Sequence, residues 1–208
     1  MVTCAARGSR FRKSVFEYVA TGKNNANNKL IVEVNSFANP FPFERQIIKS
    51  MVFDFLTQTG NDKYIEEYDL QPFALNVLSM NQTLLEKTVS LIRFSFEENA
   101  AISISGKIRH FYDLYYLMQN SECMKFVDST AFKKQFDAIL EHDRNMFDEP
   151  KDWKFKAISE SPLIIDFPAM WKQLKEKYKV ELSALAYREI PDEKDVAVCF
   201  EKLIQRIK

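Results

Sequence analysis

A short stretch of the chain, from Gly106 to Met118, combines charged side chains with a helical apolar pattern. Its apolar residues recur at intervals of three and four positions, which predicts a helix with one buried face. Arg109 and Asp113 are four positions apart, so a helix would project the guanidinium and the carboxylate from the same strip of its surface. Such a strip is either a solvated ion pair or a place where the two groups face a ligand together.

A second charged pair, Glu86-Lys87, lies in the segment formed by residues 81–96. Apolar residues at helical spacing form the core face of this segment, and both charged residues lie off that face. The Lys87 ammonium is a point charge that suits phosphate oxygens, and the Arg109 guanidinium offers a fork of donors to the same kind of oxygen. We therefore expect Lys87, Arg109 and Asp113 to converge on one cleft between two neighbouring helices.

These two stretches together resemble a known family. The segments LLEKTVSLIRFSF and KIRHFYDLYYL are similar to the two C-terminal motifs of the AbiEii/AbiGii family. Members of this family are nucleotidyltransferase-like toxins of bacterial toxin–antitoxin and abortive-infection systems. The family has Glu-Lys on a helix and then Arg-(Asp or His)-x-Tyr-Asp-Leu. This chain matches the motifs as Glu86-Lys87 and as residues 109–114, and the resemblance extends from about Ser9 to the C-terminus.

The resemblance implies a function and the residues that serve it. It implies the transfer of a nucleotide from an NTP, with Mg²⁺, to an RNA such as tRNA or to a protein, and a cognate antitoxin that counteracts the toxin. Lys87 and Asp113 match active-site residues of the family, and we assign Lys87 and Arg109 to nucleotide binding. His110 stands where many members have Asp, and we expect it to be a packed or surface histidine.

The metal site implied by the resemblance is incomplete in this sequence. Two acids spaced Asp-x-Asp are the usual minimum for the Mg²⁺ pair that bridges a triphosphate, and no Asp-x-Asp occurs. Gly8-Ser9 is similar to the start of the family's first motif, but the next acid is Glu17. We therefore interpret the Gly8-Ser9 pair as a chance match. The resemblance places the true first motif upstream of residue 1 and makes Glu33 the remaining metal-ligand candidate.

One carboxylate cannot hold a pair of metal ions, so we expect no transfer by this chain alone. The first hypothesis remains a nucleotidyltransferase-like toxin of the AbiEii/AbiGii type. The alternative is a non-catalytic module that binds a nucleotide or a partner. The absence of Asp-x-Asp is the feature that separates the two hypotheses.

Strands are predicted in the first part of the chain. Residues 10–20 and 29–35 have the composition of two strands, joined by an Asn-rich turn, and residues 72–79 form a third. Residues 46–58 have a helical spacing, and the prolines at positions 40 and 42 predict a surface loop over residues 37–44.

Beyond residue 96 the chain leads into the helix that carries Arg109 and Asp113. The rest of the chain is predicted to be helical, with segments over residues 129–147, 167–179 and 192–207. The predicted fold class is therefore α+β. Residues 1–80 would form an incomplete nucleotidyltransferase-like sheet part, and residues 81–208 a C-terminal helical domain.

The composition fits a globular protein with a sizeable core, since 46% of the residues are hydrophobic and only four are glycine. Twenty-nine basic residues balance 29 acidic ones, so any nucleic-acid contact depends on a local patch. Three widely spaced cysteines, no membrane span and no signal-peptide core predict a cytoplasmic protein without a membrane partner. Eighteen phenylalanines and an open sheet edge predict pairing either with another copy, as a homo-oligomer, or with a chain that supplies the missing strands.

Overall fold

The structure is a computed structural model that describes residues 2–7, 11–18, 29–35, 42–186 and 189–208. The chain forms two compact units, Met1–Phe41 and Pro42–Lys208. The boundary at residue 80, between a sheet part and a helical domain, stays a prediction.

The first unit contains a three-stranded antiparallel sheet in the order β1-β2-β3. The strands are β1 (Val2–Arg7), β2 (Phe11–Glu17) and β3 (Lys29–Asn35). The apolar and β-branched run in β3 favours extended backbone, and its predicted bounds are confirmed. The predicted Asn-rich turn and the Gly8-Ser9 pair lie outside the described residues.

The second unit opens with an antiparallel strand pair, β4 (Phe43–Ile48) and β5 (Phe73–Leu78). Two helices, α1 (Met51–Gln58) and α2 (Lys63–Glu67), connect these strands. The structure corrects the prediction here, because residues 43–44 were assigned to a loop and residues 46–48 to a helix. The hydroxyl of Ser50 accepts a hydrogen bond from the backbone N–H of Phe53 at 3.0 Å, so this N-cap starts the helix only after the strand has ended.

Apolar side chains are exposed on this strand pair and on α1. Ile47, Met51, Phe55 and Phe73 are among them, and α1 has no buried residue. An exposed apolar surface of this kind is typical of an interaction site. Self-association stays a prediction.

The rest of the second unit is a helical bundle, as predicted. Residues 98–108 and 120–128 contain two short helices that lie outside the helical segments named from the sequence, and two 3₁₀ turns (Trp153–Phe155 and Ile158–Glu160) lie between the longer helices. The helices of the bundle are α3 (Met80–Phe94), α4 (Ala100–Ser105), α5 (Arg109–Gln119), α6 (Ser121–Val127), α7 (Thr130–Met146), α8 (Pro162–Ile165), α9 (Phe167–Leu185) and α10 (Glu193–Ile207). The predicted α+β class, with a sheet part followed by helices, is confirmed.

An aromatic cluster around Phe111 holds the bundle together. The ring of Phe111 lies 4.8 Å from that of Phe200, 5.1 Å from that of Trp171 and 6.1 Å from that of Phe167. All four side chains are buried, and they join α5, α9 and α10. Aromatic pairs at these separations add to the free energy that burial of their surface supplies. None of the helices in the described part of the chain is long and apolar enough to cross a membrane.

Phe111→Ala should lower the free energy of unfolding by about 3 to 5 kcal/mol, because it leaves a cavity among rings that cannot collapse fully. Phe155 is a matched control, since its side chain is 80% exposed, and Phe155→Ala should change the free energy by less than about 0.5 kcal/mol. Urea denaturation of the three proteins measures both values. Equal losses in the two variants would contradict the assignment of Phe111 to the core.

Candidate functional site

Lys87 and Asp113 meet between α3 and α5. The side-chain Nζ of Lys87 donates a hydrogen bond to Oδ2 of Asp113 at 2.7 Å, and the side chains are 24% and 39% exposed. Ser79 caps the start of α3 by accepting a hydrogen bond from the backbone N–H of Gln82 at 3.2 Å. The predicted meeting of Lys87 with Asp113 is therefore what the structure shows.

Arg109 lies on the same helix as Asp113 but is exposed and does not pair with it. Among the described residues, no carboxylate forms an ion pair with Arg109, and Asp113 pairs with Lys87 instead. The local Arg109–Asp113 ion pair, one of the two interpretations of this strip, does not form. The Arg109 guanidinium is thus left with its donors available one turn away from Asp113 on α5.

A cavity of about 460 Å³ lies beside the ion pair. Its volume falls within the usual range for small-molecule sites. The α3 residues that line it are spaced by three and four positions, so they form one strip of that helix. Arg109 is not part of the wall. The lining residues are Met80, Thr83, Lys87, Tyr112, Asp113, Tyr116, Leu117 and Asn120.

His110 is neutral at physiological pH. Burial, as the largest cause, and the positive charges of Lys87 and Lys107 together lower the pKa of this imidazole to about 4, against the opposing charge of Asp113. The prediction was a packed or surface histidine, and the structure places His110 at intermediate burial. The cationic character of the region near the ion pair therefore comes from lysine and arginine rather than from His110.

A second polar cluster lies between α3 and α7, and the sequence analysis did not predict it. The guanidinium of Arg93 lies 3.9 Å from the centre of the Phe147 ring, and its Nη1 is 3.8 Å from Oδ2 of Asp143. Glu86 accepts a hydrogen bond from Gln82 at 2.9 Å. Burial raises the pKa of Glu86, and the charge of Asp143 raises it further. Glu86 is not part of the cavity wall, although it is next to Lys87 in the motif.

Glu33 lies on β3, in the N-terminal unit. Its carboxylate is directly opposite Lys13 on β2, and the two side chains form an ion pair at 2.9 Å. Within the described ranges, no three His, Cys, Asp or Glu side chains come together as a metal site would require. The described residues therefore do not fit a resident pair of Mg²⁺ ions, and Glu33 as a metal ligand stays a prediction.

The two motifs predicted the charged end of the cavity but not the rest of its wall. Met80 and Thr83 precede Lys87 by seven and four positions, which is the spacing of one helical strip. Tyr116 on α5 and Asn120, the residue directly after α5, follow Asp113 by three and seven positions. The rest of the wall could have been predicted from residues at helical spacing that continue from Lys87 and from Asp113.

Comparison with known proteins gives one family. Residues 3–198 match the model of the family described as "Nucleotidyl transferase AbiEii toxin, Type IV TA system". No curated protein and no solved structure matches significantly.

The raised pKa of Glu86 predicts a pH-dependent stability difference. The folded protein holds this proton more tightly than the unfolded chain does, so the free energy of unfolding falls as the pH rises above the ordinary Glu value of 4.5 towards the folded-state pKa. Glu86→Gln removes this pH-dependent loss of stability and keeps a side-chain oxygen that accepts the hydrogen bond from Gln82. The variant should therefore match the wild type near pH 4 and become the more stable protein at about pH 7.

Urea denaturation at several pH values measures this difference. Glu98→Gln is the control, because Glu98 is an exposed carboxylate outside the cluster. A stability difference between Glu86→Gln and the wild type that stays constant with pH would show that burial does not affect the Glu86 proton.

Proposed function

Because the chain belongs to the family of AbiEii nucleotidyl transferase toxins of type IV toxin–antitoxin systems, we propose that the cavity between α3 and α5 binds an NTP through its phosphates. The family implies a cognate antitoxin. The rest of the proposal rests on the residues around the cavity.

The hydrogen bond between Lys87 and Asp113 is the observation that supports this function most directly. An ammonium group has three N–H donors, and Asp113 accepts from one of them at 2.7 Å. Two donors remain for phosphate oxygens, and the Asp113 carboxylate fixes their position. Since Lys87 is only 24% exposed, its charge is also less screened by water than that of a lysine on the open surface. Asp113 therefore orients Lys87 for an anionic ligand.

Arg109 adds a second cation near the charged end of the cavity. It is exposed, and a guanidinium can place two parallel N–H groups on one phosphate. Lys107, two positions earlier in the α4–α5 connection, adds positive charge to the same region, since its charge and that of Lys87 both lower the pKa of His110. In this arrangement Lys87 contacts the phosphate that lies inside the cavity and Arg109 reaches the outer end of the triphosphate.

Within the family's chemistry, the bound NTP would donate a nucleotide to an RNA acceptor such as tRNA, or to a protein, in the cytoplasm. Mg²⁺ would enter as part of the Mg·NTP substrate. Lys87 would bind the phosphates and stabilise their charge, while Asp113 would hold the Lys87 ammonium in place.

Replacing Lys87 should weaken NTP binding about tenfold to a hundredfold, because a charge-assisted hydrogen bond contributes roughly 1.5 to 3 kcal/mol. Isothermal titration calorimetry of the full chain with each Mg·NTP measures this. Lys87→Met is compared with Lys202→Met, which changes an exposed lysine on α10 and should bind like the wild type. Arg109→Ala should give a smaller loss than Lys87→Met.

A double variant separates direct binding from repulsion. Lys87→Met leaves the charge of Asp113 unpaired, and this charge would itself repel a phosphate. The Lys87→Met/Asp113→Asn protein removes that charge and should still bind NTP weakly. Wild-type affinity in the double variant would mean that Lys87 only neutralises Asp113 and does not contact the nucleotide.

The second candidate function is a non-catalytic module that binds a nucleotide or a partner. Two observations favour it: the sequence has no Asp-x-Asp, and the described residues contain no carboxylate cluster for a metal. We expect the chain alone to bind NTP without transferring a nucleotide. Incubation with α-³²P-labelled NTP, Mg²⁺ and total RNA or protein extract tests this, and label that appears in the acceptor with wild type but not with Lys87→Met would establish transfer instead.

A further inference from the structure

The cavity beside Lys87 has two ends of different chemistry. Lys87 and Asp113 form the charged end, while Met80, Tyr116 and Leu117 supply apolar surface along the remainder. Lys87 and Met80 are seven residues apart on α3, so the wall extends by roughly 10 Å from the ammonium at 1.5 Å per residue. A site for inorganic phosphate alone would not need this apolar extension.

The wall on the α5 side also extends away from the charged end of the cavity. Asn120 lies seven positions after Asp113 and lines the same cavity as Met80. Because Lys87 pairs with Asp113 while residues 80 and 120 share the cavity, the two helices run antiparallel along it. The groove therefore has a charged start and a continuation that is mainly aromatic and aliphatic, with Thr83 and Asn120 as its polar members. A nucleotide likewise extends from charged phosphates to a flat base.

Tyr116 is the aromatic side chain best placed to receive a flat ligand. Its ring centre lies 4.9 Å from that of Tyr112 and 5.4 Å from that of Tyr115, with interplanar angles of 64° and 87°. These neighbours support the ring without stacking parallel to it. Tyr116 remains 44% exposed although it lines the cavity. On the other wall, Met80 is 39% exposed and offers a thioether, which packs favourably against aromatic rings.

We propose that this apolar end is the subsite for the nucleobase of the donor NTP, with the base stacked on Tyr116 and Met80 packing against it from α3. The proposal rests on the function inferred above, because it takes the phosphates of the same nucleotide to be bound at Lys87. Stacking of a base on an aromatic side chain contributes roughly 1 to 3 kcal/mol and tolerates any base. The subsite therefore adds affinity for nucleotides in general and does not by itself select one base.

The test compares two ligands that share phosphates but differ in the base. Calorimetry of the full chain is done with Mg·NTP and with Mg·tripolyphosphate, which has no base or ribose. The wild type should bind NTP more tightly than tripolyphosphate. Tyr116→Ala should weaken NTP binding by about fivefold to a hundredfold and leave tripolyphosphate binding unchanged.

Three further variants control for structure. Tyr116→Phe keeps the ring face and should bind like the wild type. Tyr68→Ala removes a tyrosine that is 63% exposed outside the cavity, and should have no effect. Met80→Ala, on the opposite wall, should weaken NTP binding without affecting tripolyphosphate binding, and it keeps the proposal testable if Tyr116→Ala does not fold.

The outcomes distinguish this proposal from the function on which it rests. Equal weakening of both ligands in Tyr116→Ala, or NTP affinity that does not exceed tripolyphosphate affinity in the wild type, would overturn the base subsite and leave the phosphate site in place. No binding of either ligand by the wild type would overturn both. Weakened binding of a short RNA without a triphosphate, together with unchanged NTP binding, would assign Tyr116 to the acceptor and overturn the donor subsite.

Discussion

The aromatic packing around Phe111 fixes the rotation of α5, and the geometry of the cavity depends on that rotation. The Phe111 ring contacts residues of α9 and α10, and Leu114 and Met118 are buried on the same side of the helix. With this face turned inward, Asp113 and Tyr116 lie on the opposite side, where α3 supplies Lys87. The packing of the core thus positions Asp113 and Tyr116, although neither side chain is part of the core.

Two adjacent residues of α3 have different partners for the same geometric reason. Successive residues of a helix are rotated by about 100° around its axis. Lys87 pairs with Asp113 on α5, whereas Glu86 accepts from Gln82 and experiences the charge of Asp143 on α7. The two residues of the Glu-Lys motif therefore face different neighbouring helices. Glu86 belongs to the α3–α7 contact, and Lys87 belongs to the cavity.

Periodicity predicted the helices well but could not predict the partners of the charged residues. The apolar spacing of α3 and α5 depends on local geometry, which a single sequence contains. Asp113 pairs with Lys87, 26 positions away, rather than with Arg109, four positions away, and this choice depends on how two helices pack. The strand β4 was missed for a similar reason, because β5, its hydrogen-bonding partner, begins 25 positions after β4 ends. The aromatic end of the cavity was also missed, since tyrosines at helical spacing equally predict a core face.

In the proposed function, the charges around the cavity serve to bind a nucleotide rather than to transfer it. The whole chain has no net charge, so attraction of a phosphate depends on the local excess that Lys87, Lys107 and Arg109 provide against Asp113. Because His110 stays uncharged, its imidazole adds nothing to this local excess of positive charge. A single carboxylate that already accepts from an ammonium group is suited to orienting it, and poorly suited to holding a divalent ion. In the proposed function, the described residues around the cavity bind the nucleotide, and its transfer would require carboxylates that these residues do not include.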